Sequence, residues 1–458
     1  MTDLVMELQA LLGPQGVLTG DDVRSRASTY WNPEPMQAAA ILRPRSVAEV
    51  SACLRSCHER GMSVVPLGGN TGLVEGTACG PDGVMLSLER MAAIDSVDEL
   101  GRTMTVEAGA ILQTVQERAV SHQLMFPVDL GARGSCTIGG MIATNAGGFG
   151  VMRHGMMRER VLGVEVVLAD GTVVTALNGY LKNNTGYDLK QLFIGSEGTL
   201  GVVTRAVLRL EELQSAETTA LVACQSFAQV TGLLKHLDRS LSGSLNAFEV
   251  MWGDFFALNT GALSKLESPF AAPYPFYALV ECQANQADAL RQHFEVALEQ
   301  ALEAGLLDDA VVAQSAAERA ALWAIRETSE PEERCFTTTL GFDVSLPIRD
   351  MDAYVRQLQA RLAEVSGDAV LLVFGHLADG NLHLTVGLHD RVARDRIERV
   401  VYDCLQHYRG AVSAEHGIGL EKKAYLPVSR EPAELALMRQ LKALLDPDNI
   451  LNPGKILG

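Results

Sequence analysis

Long apolar runs are missing from this chain: none of its 458 residues belongs to a stretch near the roughly 18 consecutive apolar residues that cross a bilayer. No transmembrane helix is therefore expected. An excess of basic residues is missing too. Lys and Arg number 38 against 56 Asp and Glu, a net charge of −18, which argues against nucleic acid or an anionic membrane surface as the main partner. Met1-Thr2-Asp3-Leu4-Val5-Met6-Glu7 lacks the basic start and apolar core of a signal peptide. The eight cysteines show neither CxxC nor paired spacing, which fits a reduced, cytoplasmic compartment. Cys53 and Cys57, one helical turn apart on an apolar stripe, read as core. No internal repeat or low-complexity segment stands out. What remains is a chain with 47% hydrophobic and 21% charged residues, ordinary for a globular protein and long enough for two or three domains.

A dinucleotide fingerprint of the Rossmann kind is also missing. A helix is predicted over 46–60: Ser46 and Glu49 form a capping box, Val47, Val50, Cys53, Leu54 and Cys57 fall at helical spacing, and Gly61 is placed to end it. A strand over 62–66 leads into Leu67-Gly68-Gly69-Asn70-Thr71-Gly72-Leu73-Val74-Glu75-Gly76. Glycines there let backbone amides approach phosphate oxygens. The loop runs on to another strand, residues 83–88, rather than opening a helix, so NAD on a Rossmann fold is not expected. A denser cluster spans 129–148, where Thr137 could cap a short helix reaching Ala143 whose N-terminal amides would attract a diphosphate. A third piece, Phe193-Ile194-Gly195-Ser196-Glu197-Gly198-Thr199-Leu200-Gly201-Val202-Val203, turns sharply into a strand. Three such stretches suggest an elongated ligand covered by backbone, as a dinucleotide with a bulky ring system would be.

The densest chemistry lies downstream. His376 and His383 flank Ala378-Asp379-Gly380-Asn381, and both sides read as strands. Asp-Gly is a preferred two-residue hairpin turn. With Asp379-Gly380 as that turn, His376 faces His383 directly, Cβ atoms about 4.5–5.5 Å apart, and Thr385 shares their face. In Ser413-Ala414-Glu415-His416-Gly417-Ile418-Gly419, Glu415 could complete a three-ligand metal site with open positions, zinc first and manganese as the alternative. His416 beside it could reach a substrate as a base.

Six collinear blocks carry a resemblance over nearly the whole chain: residues 66–76, 129–148, 195–203, the run Gly375-His376-Leu377-Ala378-Asp379-Gly380-Asn381-Leu382-His383, residues 413–419 and Asn452-Pro453-Gly454-Lys455. The chain resembles flavin-linked oxidoreductases of the vanillyl-alcohol oxidase type, and within them the bacterial and mitochondrial D-2-hydroxyacid dehydrogenases. That resemblance implies an α+β fold. A two-subdomain FAD domain would cover residues 1–212, and an antiparallel-sheet cap with the metal site residues 213–428. Residues 429–458 would return to the FAD domain.

The same resemblance implies noncovalent FAD held by Pro66, Gly68, Gly69, Asn70, Thr71, Gly72, Leu73 and Val74, with the diphosphate at 68–74. Around the ring and adenine ends it places Asp129, Leu130, Gly134, Ser135, Ile138, Gly139, Gly140, Thr144, Asn145, Gly148, Glu197, Gly198, Gly201 and Val203. Asn452 and Lys455 would close over the cofactor. It further implies a metal on His376, His383 and Glu415, with His416 as base taking the substrate hydroxyl proton. Arg326 would bind the substrate carboxylate in its guanidinium fork, and Thr385 would join the catalytic set. The substrate would be a D-2-hydroxy acid, of D-lactate or D-2-hydroxyglutarate type. The acceptor would be a flavoprotein carrier or quinone, with a homodimer compatible and a cytoplasmic site, or one peripheral to an inner membrane, expected. A flavin oxidase of an alcohol, passing electrons to oxygen, is the alternative.

Departures from the D-2-hydroxyglutarate dehydrogenases concern the substrate's distal end. Gly341 stands where they carry lysine, Thr385 where they carry asparagine, and Glu330 where a small hydroxyl residue is usual. His154 replaces a tyrosine.

Overall fold

Ser46 caps the helix that its sequence predicts, but without the reciprocal bond of a capping box, because the Glu49 carboxylate accepts the Arg45 amide instead. The Ser46 hydroxyl accepts the Glu49 amide at 3.2 Å, the helix is Val47–His58, and Gly61 follows at a positive φ of 59°. A computed structural model describes residues 2–30, 32–389 and 394–457. Backbone contacts divide the chain into two units. The first is Met1–Gly148, His154–Leu213 and Glu415–Gly458; the second is Phe149–Arg153 and Gln214–Ala414.

The first unit holds two main sheets. Strands β1 (Val17–Leu18), β2 (Ala40–Leu42), β3 (Val64–Leu67) and β4 (Val84–Ser87) form one, in the order β1-β2-β4-β3. Both β2 and β3 run parallel to β4. A parallel pair needs a long crossover, usually a helix. Between β3 and β4 the crossover is the glycine loop itself, which fixes that loop at the end of β3. Strands β5 (Ile94–Asp98), β6 (Thr103–Glu107), β8 (Val161–Val167), β9 (Val173–Ala176) and β10 (Val202–Arg209) form an antiparallel sheet, order β5-β6-β10-β8-β9. A short ladder joins β7 (Leu124–Met125) to β11 (Glu211–Glu212). Val50, Cys53, Leu54 and Cys57 of the Val47–His58 helix are fully buried in a core shared with Ala40, Leu42, Val84 and Leu86. Burial pushes the Cys53 and Cys57 thiols up to about 12, so neither is a nucleophile near neutral pH.

The second unit is built on one seven-stranded antiparallel sheet: β12 (Ala216–Cys224), β13 (Leu245–Trp252), β14 (Phe276–Ala284), β15 (Asp309–Val312), β16 (Thr338–Ser345), β17 (Val370–His376) and β18 (Asn381–Leu388). The order is β15-β12-β14-β13-β17-β18-β16. Helices Ala287–Glu303 and Met351–Val365 belong to the same unit. Helices combined with antiparallel sheets make the fold α+β. Among the described residues no helix is long and apolar enough to cross a membrane.

Two local expectations differ from the structure. The chain rejoins the first unit at Glu415, not after residue 428, because the amides of Ile418 and Gly419 donate to Glu197 and that of Leu420 to the Val74 carbonyl. The hairpin register is also shifted. His383 pairs with Phe374, not His376, because residues Leu377–Asp379 form a 3-10 turn closed by Gly380 at φ 84°. Leu377 is fully buried there, and a two-residue turn would forfeit that burial. His376 instead pairs with Glu249 of β13, which makes it the diagonal neighbour of His383 on the same face.

Candidate active site

Backbone forms much of the wall of a cavity of about 670 Å³ in the first unit, within the roughly 300–1,000 Å³ usual for cofactor sites. Of the residues expected at a cofactor, Pro66, Gly68, Gly69, Asn70, Thr71, Gly72, Leu73, Val74, Leu130, Ser135, Gly139, Gly140, Thr144, Glu197, Gly198, Gly201, Val203 and Asn452 line it. The glycines are required by closeness. A Cβ on Gly69 would fall 2.0 Å from the Ser135 carbonyl oxygen, and one on Gly68 2.8 Å from the Thr137 hydroxyl. Thr137 in turn accepts the Gly140 amide at 3.3 Å and starts the helix Ile138–Thr144.

Asp129, Gly134, Ile138, Asn145 and Gly148 are not on the wall. Ile138 is core. Asn145 ends its helix in the left-handed region at φ 51° and accepts the Arg158 amide at 2.9 Å. Gly148, at φ 132°, leaves no room for a Cβ, which would meet the Asp129 carbonyl oxygen at 1.9 Å. Asp129 holds Arg133 at 2.9 Å, and Gly134 abuts the Gln113 side chain. Tyr30, Ala108 and Gly109 line the cavity unforeseen, and Phe193, which opens the third glycine stretch, joins them on the wall. The small-residue run Glu107-Ala108-Gly109-Ala110 was the available signal for two of them.

The lining suits FAD. Asn452 gives its amide group to the Gly76 and Glu197 carbonyls at 3.1 and 2.8 Å, while its buried Oδ1 has no hydrogen-bond partner among the described residues. A ligand donor would satisfy that acceptor. Lys455, expected over the cofactor, instead donates to the Ala78 carbonyl at 2.6 Å.

Glu415 and His416 also line this cavity. Their loop is held by Glu197, whose carboxylate accepts Ile418 N at 2.7 Å and Gly419 N at 2.8 Å. Burial raises the Glu197 pKa while those two amides pull it down. His416 takes a left-handed φ of 65°, uncommon for a residue with a side chain.

On the second unit's sheet, His376 and His383 place their rings 5.0 Å apart at 81°, with ligating nitrogens within 4.8 Å of one another. Each Nδ1 meets a carboxylate. His376 Nδ1 is 2.5 Å from Glu249 Oε1, and His383 pairs with Asp343, directly opposite on β16. Carboxylates placed so fix the tautomer and turn Nε2 toward a metal, the usual support of a metal-binding histidine. Chain connectivity brings in the third candidate. The Ala414 amide donates to the Asp343 carbonyl at 3.2 Å, and Glu415 is the next residue, one step of about 3.8 Å along the chain.

Arg326, near the end of helix Ala316–Glu327, is buried rather than on the helix surface. Its Nε donates to Glu249 Oε2 at 2.8 Å, and its guanidinium carbon lies 4.5 Å from the centre of the Phe374 ring. Glu249 thus orients both His376 and Arg326. Burial alone would push its carboxyl up, yet His376 and Arg326 hold it below the usual range. It escaped the sequence reading, although an acid inside Asn246-Ala247-Phe248-Glu249-Val250-Met251-Trp252 was the signal.

Glu330, expected near the substrate, is half exposed and ion-paired with Arg334. Glu332 of helix Glu330–Cys335 is the buried acid there. Burial pushes its carboxyl up to about 7, against a hydrogen bond from Thr385 that pulls it down. A carboxyl raised in the folded state favours folding at low pH, and that contribution is lost as pH climbs from about 4.5 through about 7. Glu332→Gln is accordingly expected to gain on the wild type above pH 7, by on the order of 2 kcal/mol, with the gap closing near pH 4.5. Thermal unfolding across that range measures it.

Residues 213–456 match the family described as FAD linked oxidases, C-terminal domain, and residues 38–177 match the FAD binding domain. The mitochondrial D-2-hydroxyglutarate dehydrogenase of Bos taurus is 40% identical over 91% of this chain and 76% of its own length. D-2-hydroxyglutarate dehydrogenase of Xanthomonas citri pv. viticola is 39% identical, covering 93% and 90%. Among solved structures, p-cresol methylhydroxylase superposes with a TM-score of 0.77 at 16% identity, over 99% of this chain and 96% of that one. An alkyldihydroxyacetonephosphate synthase gives 0.76, also at 16%, over 99% and 84%. The fold is that of the vanillyl-alcohol oxidase type, and the chain belongs to the FAD-linked oxidase family. Within it, the chain is an FAD-dependent oxidoreductase of the 2-hydroxyacid dehydrogenase group.

Proposed function

We propose that the chain oxidises a D-2-hydroxy acid to the 2-oxo acid, with His416 receiving the hydroxyl proton. The observation that carries this is the cluster on the second unit's sheet: two imidazoles on one face, each anchored by a carboxylate, with Arg326 buried beside them. Arg326 spends only Nε on Glu249; its terminal nitrogens have no hydrogen bond among the described residues. That fork suits the substrate carboxylate. FAD supplies the hydride acceptor. Zinc, or manganese, would be held by His376, His383 and Glu415 and would polarise the substrate's carboxylate and hydroxyl. The chain's own groups do the rest: Glu249 and Asp343 keep the imidazoles turned, Arg326 orients the acid, and neutral His416 receives the proton. The electron acceptor would be a carrier flavoprotein or quinone.

The test is the flavin spectrum of the purified protein, mixed without oxygen with a panel of D-2-hydroxy acids. Bleaching of the yellow colour by at least one acid, with the matching 2-oxo acid formed, is the expected result. Silence across the panel would defeat this reading.

A further inference from the structure

A carboxyl stands on the histidine face of the second unit where no ligand role has been assigned. Side chains alternate along β18, so Thr385 shares the face of His383, while Leu384 and Val386 point into the core. The cross-strand partners of Thr385 are Gly341 on β16 and Leu372 on β17. At Gly341 an added Cβ would meet nothing within 4 Å, so this side of Thr385 is open. On the other side the helix Glu330–Cys335 packs down: Phe336, just after it, fills the space over Gly387, and the buried Glu332 reaches the Thr385 hydroxyl. Two pairs along the ladder from Asp343–His383, at the next pair on the same face, the sheet therefore offers open room bounded by an acid. A substrate held by its 2-hydroxy acid end at the histidines would direct its tail along this row.

We propose that Glu332 and Thr385 make the protein select 2-hydroxy acids without a second carboxylate, whose tails are neutral or donate a hydrogen bond. This rests on the proposed reaction at the same site. A terminal carboxylate beside Glu332 would be a like-charge contact in a partly desolvated place, unfavourable unless a proton is taken up. A terminal methyl would meet no such penalty, and a terminal hydroxyl could donate to the acid.

The test compares D-2-hydroxypentanoate with D-2-hydroxyglutarate, acids of equal chain length differing at the far end. Each kcat/KM is measured at pH 8.5 with a dye acceptor, for the wild type and Glu332→Gln. The wild type is expected to favour the monocarboxylate at least about tenfold. Glu332→Gln is expected to move the ratio toward the dicarboxylate by about tenfold. A ratio measured within one protein does not respond to a general loss of folded enzyme, and the wild-type ratio needs no variant at all. Preference of the wild type for D-2-hydroxyglutarate, or a ratio unmoved in Glu332→Gln, would overturn the selection while leaving the reaction intact. If neither acid nor any other 2-hydroxy acid reduces the flavin, the reaction itself is wrong and the selection falls with it.

Discussion

Replacing His383 with alanine is expected to lower turnover by at least about a thousandfold while the flavin content of the protein stays the same. The two effects separate because His383 belongs to β18, whereas every residue lining the 670 Å³ cavity belongs to the first unit. Bound metal, measured by elemental analysis, should fall with the activity. Stability should change little, because the partner carboxylate of Asp343 is partly exposed and can be hydrated. His376→Ala makes a useful contrast. Glu249 is only 1% exposed, and removing His376 leaves it with Arg326 as its ionic partner among the described residues, so this variant should lose stability as well as activity. Turnover within a few-fold of the wild type in His383→Ala would remove the imidazole pair from the chemistry.

Changing His416 to asparagine should slow the reduction of the flavin by about 10²–10⁴-fold, the usual worth of a positioned general base. FAD and metal contents should stay at wild-type levels. Asparagine is the informative replacement because the backbone at this position is left-handed, with φ 65°, and asparagine tolerates that region better than most residues. The Glu197 carboxylate still holds the loop through the amides of Ile418 and Gly419, so the loss reports the imidazole and not a collapsed loop. Stopped-flow reduction under nitrogen resolves the chemical step. A rate within twofold of the wild type would assign the proton to another group.

Much of this site could be read from residue order. The glycine stretches were legible because their spacing excludes side chains, and the contacts at Gly68 and Gly69 show why. The shared face of His376 and His383 was legible from strand alternation. Their register was not: Asp-Gly suggested a two-residue turn, but burial of Leu377 drew the chain into a 3-10 turn, and the pairing moved by two residues. Glu249 and Glu332 were missed for a related reason. Each acid gains its meaning from a partner distant in sequence, 77 residues in the Arg326–Glu249 bond and 127 in the His376–Glu249 bond. No local pattern encodes such a pair, although an acid inside an apolar strand hints that one exists. The boundary near residue 428 failed likewise, because Glu197 and Val74, which bind the returning segment, lie more than two hundred residues upstream.

Oxidation of the 2-hydroxy acid should depend on a metal held by His376, His383 and Glu415. The most direct measurement is anaerobic flavin bleaching in protein stripped by a chelator, shown by elemental analysis to be metal-free and by absorbance to retain its FAD. The account predicts that a 2-hydroxy acid able to bleach the untreated protein leaves the stripped protein yellow, and that zinc or manganese restores the bleaching. Full-rate bleaching of the metal-free protein would contradict it.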